Sequence, residues 1–197
     1  MKKDNTRLDH KIIYSIIEPK SRVLDLGCGD GELLAKLVEG KNIKAQGIEL
    51  NNKAIYKCVE RGLNVSHSNV DDGLKGYPDK SFDYVILNQS MQEAKKVDYV
   101  MKEALRVGKK VVVGFPNFAY LTARLRVFFK GKVPITPSLP YHWYSTPNLH
   151  FLSISDFRSF CLEKKITIIK AYYLGEKKAI QILPNLFALN AIFIISR

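Results

Sequence analysis

The run Asp25-Leu26-Gly27-Cys28-Gly29-Asp30-Gly31 carries more chemical information than any other stretch of the chain. It sets an acidic residue two positions ahead of a Gly-x-Gly-x-Gly spacing. The short apolar run Arg22-Val23-Leu24 precedes it, and the helix-like Glu32-Leu33-Leu34-Ala35-Lys36-Leu37-Val38 follows. Strand, glycine turn and helix in that order let a backbone approach a ligand closely, because glycine has no Cβ in the way and takes positive φ. The Gly-x-Gly-x-x-Gly of dinucleotide binders, which seats a pyrophosphate on a helix N-terminus, is spaced differently. A carboxylate just ahead of the turn repels a phosphate and suits a cationic amino group. A second carboxylate, Glu49, ends the run Ala45-Gln46-Gly47-Ile48. Its separation from Asp25 is close to the roughly 20 residues at which an acidic side chain reads a ribose in a βαβ unit. The expected ligand is S-adenosylmethionine, which has an amino acid tail and no phosphate. The alternative is a fold of the same kind that has lost its ligand.

Methyl transfer from a sulfonium is an in-line displacement. It needs alignment and desolvation first, then a base where the acceptor carries a proton. His142, His150, Tyr144 and Glu93 are the candidates for that base. An imidazole titrates near neutrality and suits the task; a hydrogen-bonded structural role is the alternative for each His. No triad-like arrangement and no metal-ligand spacing is present. Cys28, Cys58 and Cys161 are widely spaced, without a Cys-x-x-Cys pair, and read as small turn or core residues in a reducing compartment.

The elements that would position these residues alternate along the chain. An opening helix spans 7–17 and stops at Pro19. Strands are expected at 22–26, 45–49, 64–67, 82–87, 109–115, 167–174 and 189–196. Helices are expected at 32–39, at 52–61 closed by Gly62, at 96–107 closed by Gly108, and at 154–164 opened by the capping-box signal Ser153-x-x-Asp156. Phe82-Asp83-Tyr84-Val85-Ile86-Leu87 is nearly continuous in apolar residues, as a central parallel strand should be. The pattern predicts an α/β fold: a Rossmann-like, doubly wound, mostly parallel seven-stranded sheet with ligands at the carboxyl ends of its strands.

With 197 residues, 46% of them hydrophobic, the chain is long enough for one domain, 1–197, with a complete core. No apolar stretch reaches the roughly 18 residues needed to span a membrane. The charged start, residues 1–7, lacks the apolar core of a signal peptide. A cytoplasmic protein with no membrane association is expected. The net charge of +12 is spread over doublets such as Lys95-Lys96 and Lys109-Lys110, which mark solvated edges; the dense cluster is Arg124, Arg126, Lys130 and Lys132. Nucleic acid is therefore not the expected partner.

Residues 116–151 stand apart as a Pro/aromatic-rich insertion. They begin with an amphipathic piece in which Phe118, Leu121, Leu125, Phe128 and Phe129 fall at helical spacing. They continue through 132–151, which holds half of the eight prolines, the single Trp and two of the four His. A long, proline-stiffened segment without regular period predicts an ordered cap over the strand ends; a covering loop whose aromatics merely pack is the alternative.

The glycine turn and Glu49 together resemble the class I methyltransferase superfamily. The resemblance narrows further on Thr136-Pro137-Ser138-Leu139-Pro140-Tyr141-His142-Trp143-Tyr144-Ser145-Thr146-Pro147-Asn148-Leu149-His150. With Asn69-Val70-Asp71-Asp72-Gly73-Leu74, Leu87-Asn88-Gln89-Ser90 and Gly114-Phe115-Pro116-Asn117-Phe118, these residues are similar to the MetW-type methionine biosynthesis proteins, over nearly the whole chain. The resemblance implies S-adenosyl-L-methionine as cofactor, with S-adenosyl-L-homocysteine as product. Gly27, Cys28, Gly29 and Gly31 would pass beneath its methionine part. Asp25 would lie near its amino group, and Glu49 and Leu50 would lie at its ribose. Asn69, Val70 and Asp71 stand where many class I enzymes contact the adenine; Asn69 replaces the usual acidic residue, and Asp71 is the possible substitute. Asn88 and Gln89 end a central strand, where superfamily enzymes place substrate contacts. The Pro-Pro that follows such an Asn in nucleobase amino-methyltransferases is absent here. The family is tied to methionine biosynthesis, often beside a homoserine O-acetyltransferase. Three functions follow: methyl transfer to an unidentified acceptor, cofactor sensing in a regulatory partner of the acyltransferase, or RNA methylation through the basic cluster.

Overall fold

The computed structural model describes residues 7–197; the charged residues 1–6 lie outside the described residues. Seven strands form the sheet: β1 (Arg22–Leu26), β2 (Lys44–Glu49), β3 (Val65–His67), β4 (Phe82–Asn88), β5 (Gly108–Pro116), β6 (Thr167–Leu174) and β7 (Asn190–Ser196). Their order is β3-β2-β1-β4-β5-β7-β6. The first five strands are parallel, and β7 inserts antiparallel between β5 and β6. The helices are α1 (Leu8–Ile16), α2 (Glu32–Lys41), α3 (Asn52–Glu60), α4 (Val97–Val107), α5 (Leu121–Lys130), α6 (Ile154–Glu163) and the short α7 (Pro184–Phe187).

Strand periodicity sorts the core onto two faces. Leu24, Leu26, Val85, Leu87, Val111, Val113 and Phe115 meet α4 and α6 through Val100, Met101, Ala104 and Phe157. Val23, Tyr84, Ile86 and Val112 meet Ile13, Ile17, Leu34, Leu37 and Cys58 from the other side. Asp25 continues the alternation Val23, Asp25 and so emerges on the α1–α2 face, at the carboxyl end of its strand. Because β1 and β4 both cross from parallel strands to loops there, the crevice predicted at the strand ends is built into the topology.

The expected elements are present, with ends shifted by a residue or two. The capping box of α6 forms in full: Ser153 Oγ accepts from the Asp156 N–H at 3.1 Å, and Asp156 Oδ2 accepts from the Ser153 N–H at 2.8 Å. Gly62 closes α3 at φ +72, which lets the Leu63 N–H reach back to the Cys58 carbonyl. Three short elements had no periodic signal: α7 and the 3₁₀ turns Val70–Asp72 and Met91–Glu93. Each is too short to show a period.

Helix α5 departs from the expectation in its packing. Of its residues only Ala123 is buried, while Phe128 and Phe129 are 81% and 73% exposed. The spacing correctly implies a helix, but the helix lies at the surface and its aromatic edge covers nothing. Beyond it the chain is ordered by short contacts. Thr136 and Leu139 exchange backbone hydrogen bonds at 3.1 and 3.0 Å, and the N–H groups of Leu149 and His150 both donate to the Gln92 carbonyl. The segment is anchored by Asn117, which is fully buried. Its Nδ2 donates to the carbonyls of Asn185 and Ala188, and its Oδ1 accepts from the N–H of Ala119 and of Ile154. One amide thus joins the ends of β5, α6 and α7. Replacing Asn117 by Leu leaves two buried backbone groups, the Ala188 carbonyl and the Ile154 N–H, without partners, each at roughly 1–3 kcal/mol. Urea unfolding of Asn117→Leu is expected to show a loss of about 2–4 kcal/mol; a loss under about 0.5 kcal/mol would dismiss the amide as the anchor.

Candidate functional site

The turn after β1 is held by its neighbour strand. The N–H groups of Gly27 and Cys28 both donate to the Ile48 carbonyl of β2, at 2.8 and 3.1 Å. Gly27, at φ +76, passes so close to Ser90 that a Cβ would come within 2.6 Å of the serine Cβ. Gly29, at φ +56, faces open space, with nothing within 4 Å of the point a Cβ would occupy. Gly31 serves packing instead: a Cβ there would collide with Leu63 and Cys58 under the turn. Asp30 is used at the start of α2, where its Oδ1 accepts from the Glu32 N–H at 3.2 Å.

The open space beside Gly29 is a cavity of about 540 Å³. Asp25, Gly27, Cys28 and Gly29 form one wall, Glu49 and Leu50 a second, Asn69, Val70 and Asp71 a third, and Asn88, Gln89 and Glu93 a fourth. Twelve sequence-named residues therefore meet in one place. Gly31 does not line the cavity, nor do His142, Tyr144 and His150. His142 stacks on Tyr144 with ring centroids 5.2 Å apart, and Tyr144 is 69% exposed. His150 Nε2 lies 3.0 Å from the Ala94 carbonyl oxygen. Of the four candidate bases, Glu93 alone faces the cavity.

Seven further lining residues carry polar side chains that the sequence did not assign to the ligand: Arg7, His10, Asp30, Glu32, Ser68, Ser90 and Tyr141. Arg7 and His10 come from the head of α1. They flank Asp9, whose Oδ2 accepts from Asn88 Nδ2 at 2.9 Å and so ties α1 to the end of β4. Burial opposes ionisation of Asp9, but hydrogen bonds from Arg7 and Asn88 outweigh it and hold its pKa below the usual value. Burial keeps His10 below the ordinary imidazole range. The polar cluster Arg7-x-Asp9-His10 at the head of α1 was the available signal. Gln89 sits at φ +63, an uncommon region for a residue with a side chain, with its N–H on the Gly114 carbonyl.

Asp25 is 3% exposed, and its carboxyl has no hydrogen bond or ion pair among the described residues. Burial, then the charge of Glu49, push its pKa up from 3.8 to about 7. Such a buried carboxyl has a place for a cation beside it. Glu49 accepts from the N–H groups of Gly29, Leu50 and Asn51 at 2.8 to 2.9 Å. A carboxylate has about four acceptor positions, so capacity for a hydroxyl remains. Asn69 Oδ1 accepts from the Asp71 N–H, leaving its Nδ2 to the cavity wall. Asp71 spends both oxygens on the N–H groups of Lys95 and Lys96, at 3.0 and 2.8 Å, so it braces the loop before α4. Burial raises the thiol pKa values of Cys28 and Cys58, and that of Cys161 to about 11, so all three remain protonated. An ammonium, a ribose and an adenine edge fit the walls described, and a phosphate does not.

This strand order, with its antiparallel β7 and its cavity at the strand ends, is the class I S-adenosylmethionine-dependent methyltransferase fold. A methyltransferase of that cofactor class from Archaeoglobus fulgidus superposes with a TM-score of 0.68 at 16% identity, covering 95% of this chain and 94% of that one. One from Mesorhizobium loti superposes at 0.70 and 15% identity, covering 95% and 96%. The family model of "Methionine biosynthesis protein MetW" matches residues 7–195, and the chain belongs to that family. It is 34% identical over 170 residues to the "Bifunctional methionine biosynthesis protein MetXA/MetW" of Rhodopirellula baltica, covering 82% of this chain. The chain spans about a quarter, 27%, of that relative's length.

Asp25 gives a pH test. Its folded-state value lies above the unfolded one, so the folded protein holds a proton that the unfolded chain has released. Stability contributed by this group is complete below about pH 4 and is lost as the pH rises through about 7. Asp25→Asn is therefore expected to melt higher than the wild type at pH 8, with the difference vanishing near pH 4. A gap independent of pH in parallel thermal melts would contradict this.

Proposed function

We propose that the chain is an S-adenosylmethionine-binding, methyltransferase-like protein of methionine biosynthesis, acting in the cytoplasm on an acceptor still to be identified. The observation that carries this reading is the buried, unpartnered carboxyl of Asp25 beside the open face of Gly29. Asp25 takes the ammonium of the cofactor's amino acid tail, and the backbone of Gly27, Cys28 and Gly29 runs beneath that tail. Glu49 and Leu50 hold the ribose, and Asn69 and Val70 border the adenine. Asn88 and Gln89 close the side toward the acceptor. When bound, the cofactor supplies an electrophilic methyl group on a sulfonium. The chain's own part is to align, to exclude water and to take a proton on the Glu93 carboxylate, whose pKa burial and then Glu49 raise.

A second reading, a regulatory partner of homoserine O-acetyltransferase, is favoured by one observation. Phe128, Phe129, Trp143 and Tyr144, all in 121–151, are each about 70% exposed or more. Single exposed apolar residues need no explanation, but large aromatics gathered in one segment suit a protein partner. The Rhodopirellula relative, whose name joins MetXA and MetW in one protein, supports such pairing. The RNA reading has no comparable support: Arg124 donates to the carbonyls of Ala119 and Asn185, and the cavity at the strand ends is lined by acidic groups.

Calorimetric titration with S-adenosylmethionine and S-adenosylhomocysteine tests the proposal. Micromolar binding is expected, weakened at least tenfold in Glu49→Gln. Gly29→Val is expected to lose it, because a β-branched residue at φ +56 is strained and fills the cavity. No binding by a folded wild-type chain, with melts as the check, would defeat the cofactor assignment.

A further inference from the structure

A second cavity, of about 500 Å³, adjoins the first and shares Arg7, Gln89, Glu93 and Tyr141 with it. Its chemistry is one-sided. The chain carries a net charge of +12, yet among the described residues no lysine lines either of these two cavities. The single arginine among their described residues, Arg7, is already matched: its Nε and Nη2 donate to the two oxygens of Asp9 at 3.1 and 2.6 Å. With that pair neutralised, the carboxylates of Glu93 and Glu176 remain, and neither has a hydrogen-bonded or ionic partner among the described residues.

An independent observation points the same way. Gln92, in the 3₁₀ turn after β4, is 3% exposed and lines this cavity. Its Nε2 donates to the Gln89 carbonyl at 2.9 Å, but its buried Oε1 has no partner. Buried amide oxygens are almost always matched, so this one awaits a donor. Tyr141 lines both cavities, and an aromatic side chain there can attract a cation. Among the described residues the lining offers acceptors and an aromatic side chain, and no free cation. A phosphate or carboxylate ligand would meet only repulsion. A nucleobase is disfavoured as well, because Asn88 is followed by Gln89-Ser90 and not by a proline platform.

We propose that the second cavity binds a small organic ammonium ion, an amine-bearing metabolite held by Glu93, Glu176 and the side-chain amide oxygen of Gln92. This assignment rests on the reading of the first cavity as the cofactor's, since Glu93 and Tyr141 border both and would set the amine against the methyl donor.

The test is ligand-observed NMR and calorimetry on the full chain, with and without S-adenosylhomocysteine. The probes are propylamine, ethanolamine and putrescine, set against propionate, succinate and inorganic phosphate. The amines are expected to bind at least tenfold more tightly than the anions. Glu176→Gln, which does not line the first cavity, is expected to weaken putrescine at least fivefold while S-adenosylhomocysteine affinity stays within twofold. Glu60→Gln, on the exposed side of α3, controls for loose attraction to surface acids and should change nothing. Anions binding as well as amines, or equal effects of the two substitutions, would overturn the proposal. Amine selectivity without S-adenosylhomocysteine binding would overturn the cofactor reading instead and leave the second site standing.

Discussion

The backbone hydrogen bonds from Gly27 and Cys28 to Ile48 are the constraint on which the site depends. They lock the turn leaving β1 against the end of β2. That lock brings Asp25 and Glu49, one from each strand end, to the same cavity. Two carboxylates near each other, one of them buried, are unfavourable together unless a cation or hydrogen-bond donors relieve them. Glu49 finds donors in three backbone N–H groups. Asp25 finds none and keeps its proton to near neutrality. The fold thus holds in place an electrostatic strain of the kind that marks ligand sites.

The surrounding structure maintains this arrangement from several directions. Ser90 Oγ donates to the Leu26 carbonyl at 2.6 Å and pins the β4 loop over the turn. Asn88 reaches across to Asp9 and brings the head of α1 into the wall. Gly114 makes room for it, since a Cβ there would lie 2.2 Å from Asn88 Oδ1. Asp71, through Lys95 and Lys96, fixes the loop on the far side. These are polar contacts between loops, each worth little alone, whose geometry is set by the parallel strands beneath. The same loops divide the strand-end crevice into two cavities with a common wall. An acidic lining inside a strongly basic chain selects ligands by charge, whatever the outer surface attracts.

Much of this could be read from the residues before any coordinates. The Asp-x-Gly-x-Gly-x-Gly run and Glu49 are local signals, because a turn, its strand and its helix depend on neighbours in sequence. The apolar runs of β1, β4 and β5 and the stripe of α4 specify a parallel sheet for the same reason: period and burial are written in consecutive residues. The capping box of α6 is likewise local. Asn69, Asp71, Asn88 and Gln89 could be placed at strand ends, but their partners could not. Whether Asp71 faces a ligand or the amides of Lys95 and Lys96 depends on how a distant helix begins.

The sequence by itself determined the longer elements, the fold class and the residues at the turn, since each follows from spacing along the chain. Only the tertiary structure decided which polar groups are matched and which are left over. It withdrew His142, Tyr144 and His150 from the cavity, and it brought in Arg7, His10 and Tyr141. It turned the aromatic edge of α5 outward. Gln92 and Glu176 lie far apart in sequence, and only the folding of β6, β7 and the 3₁₀ turn after β4 sets them around one space. Burial and pairing are relations between segments, and no period within a single segment encodes them.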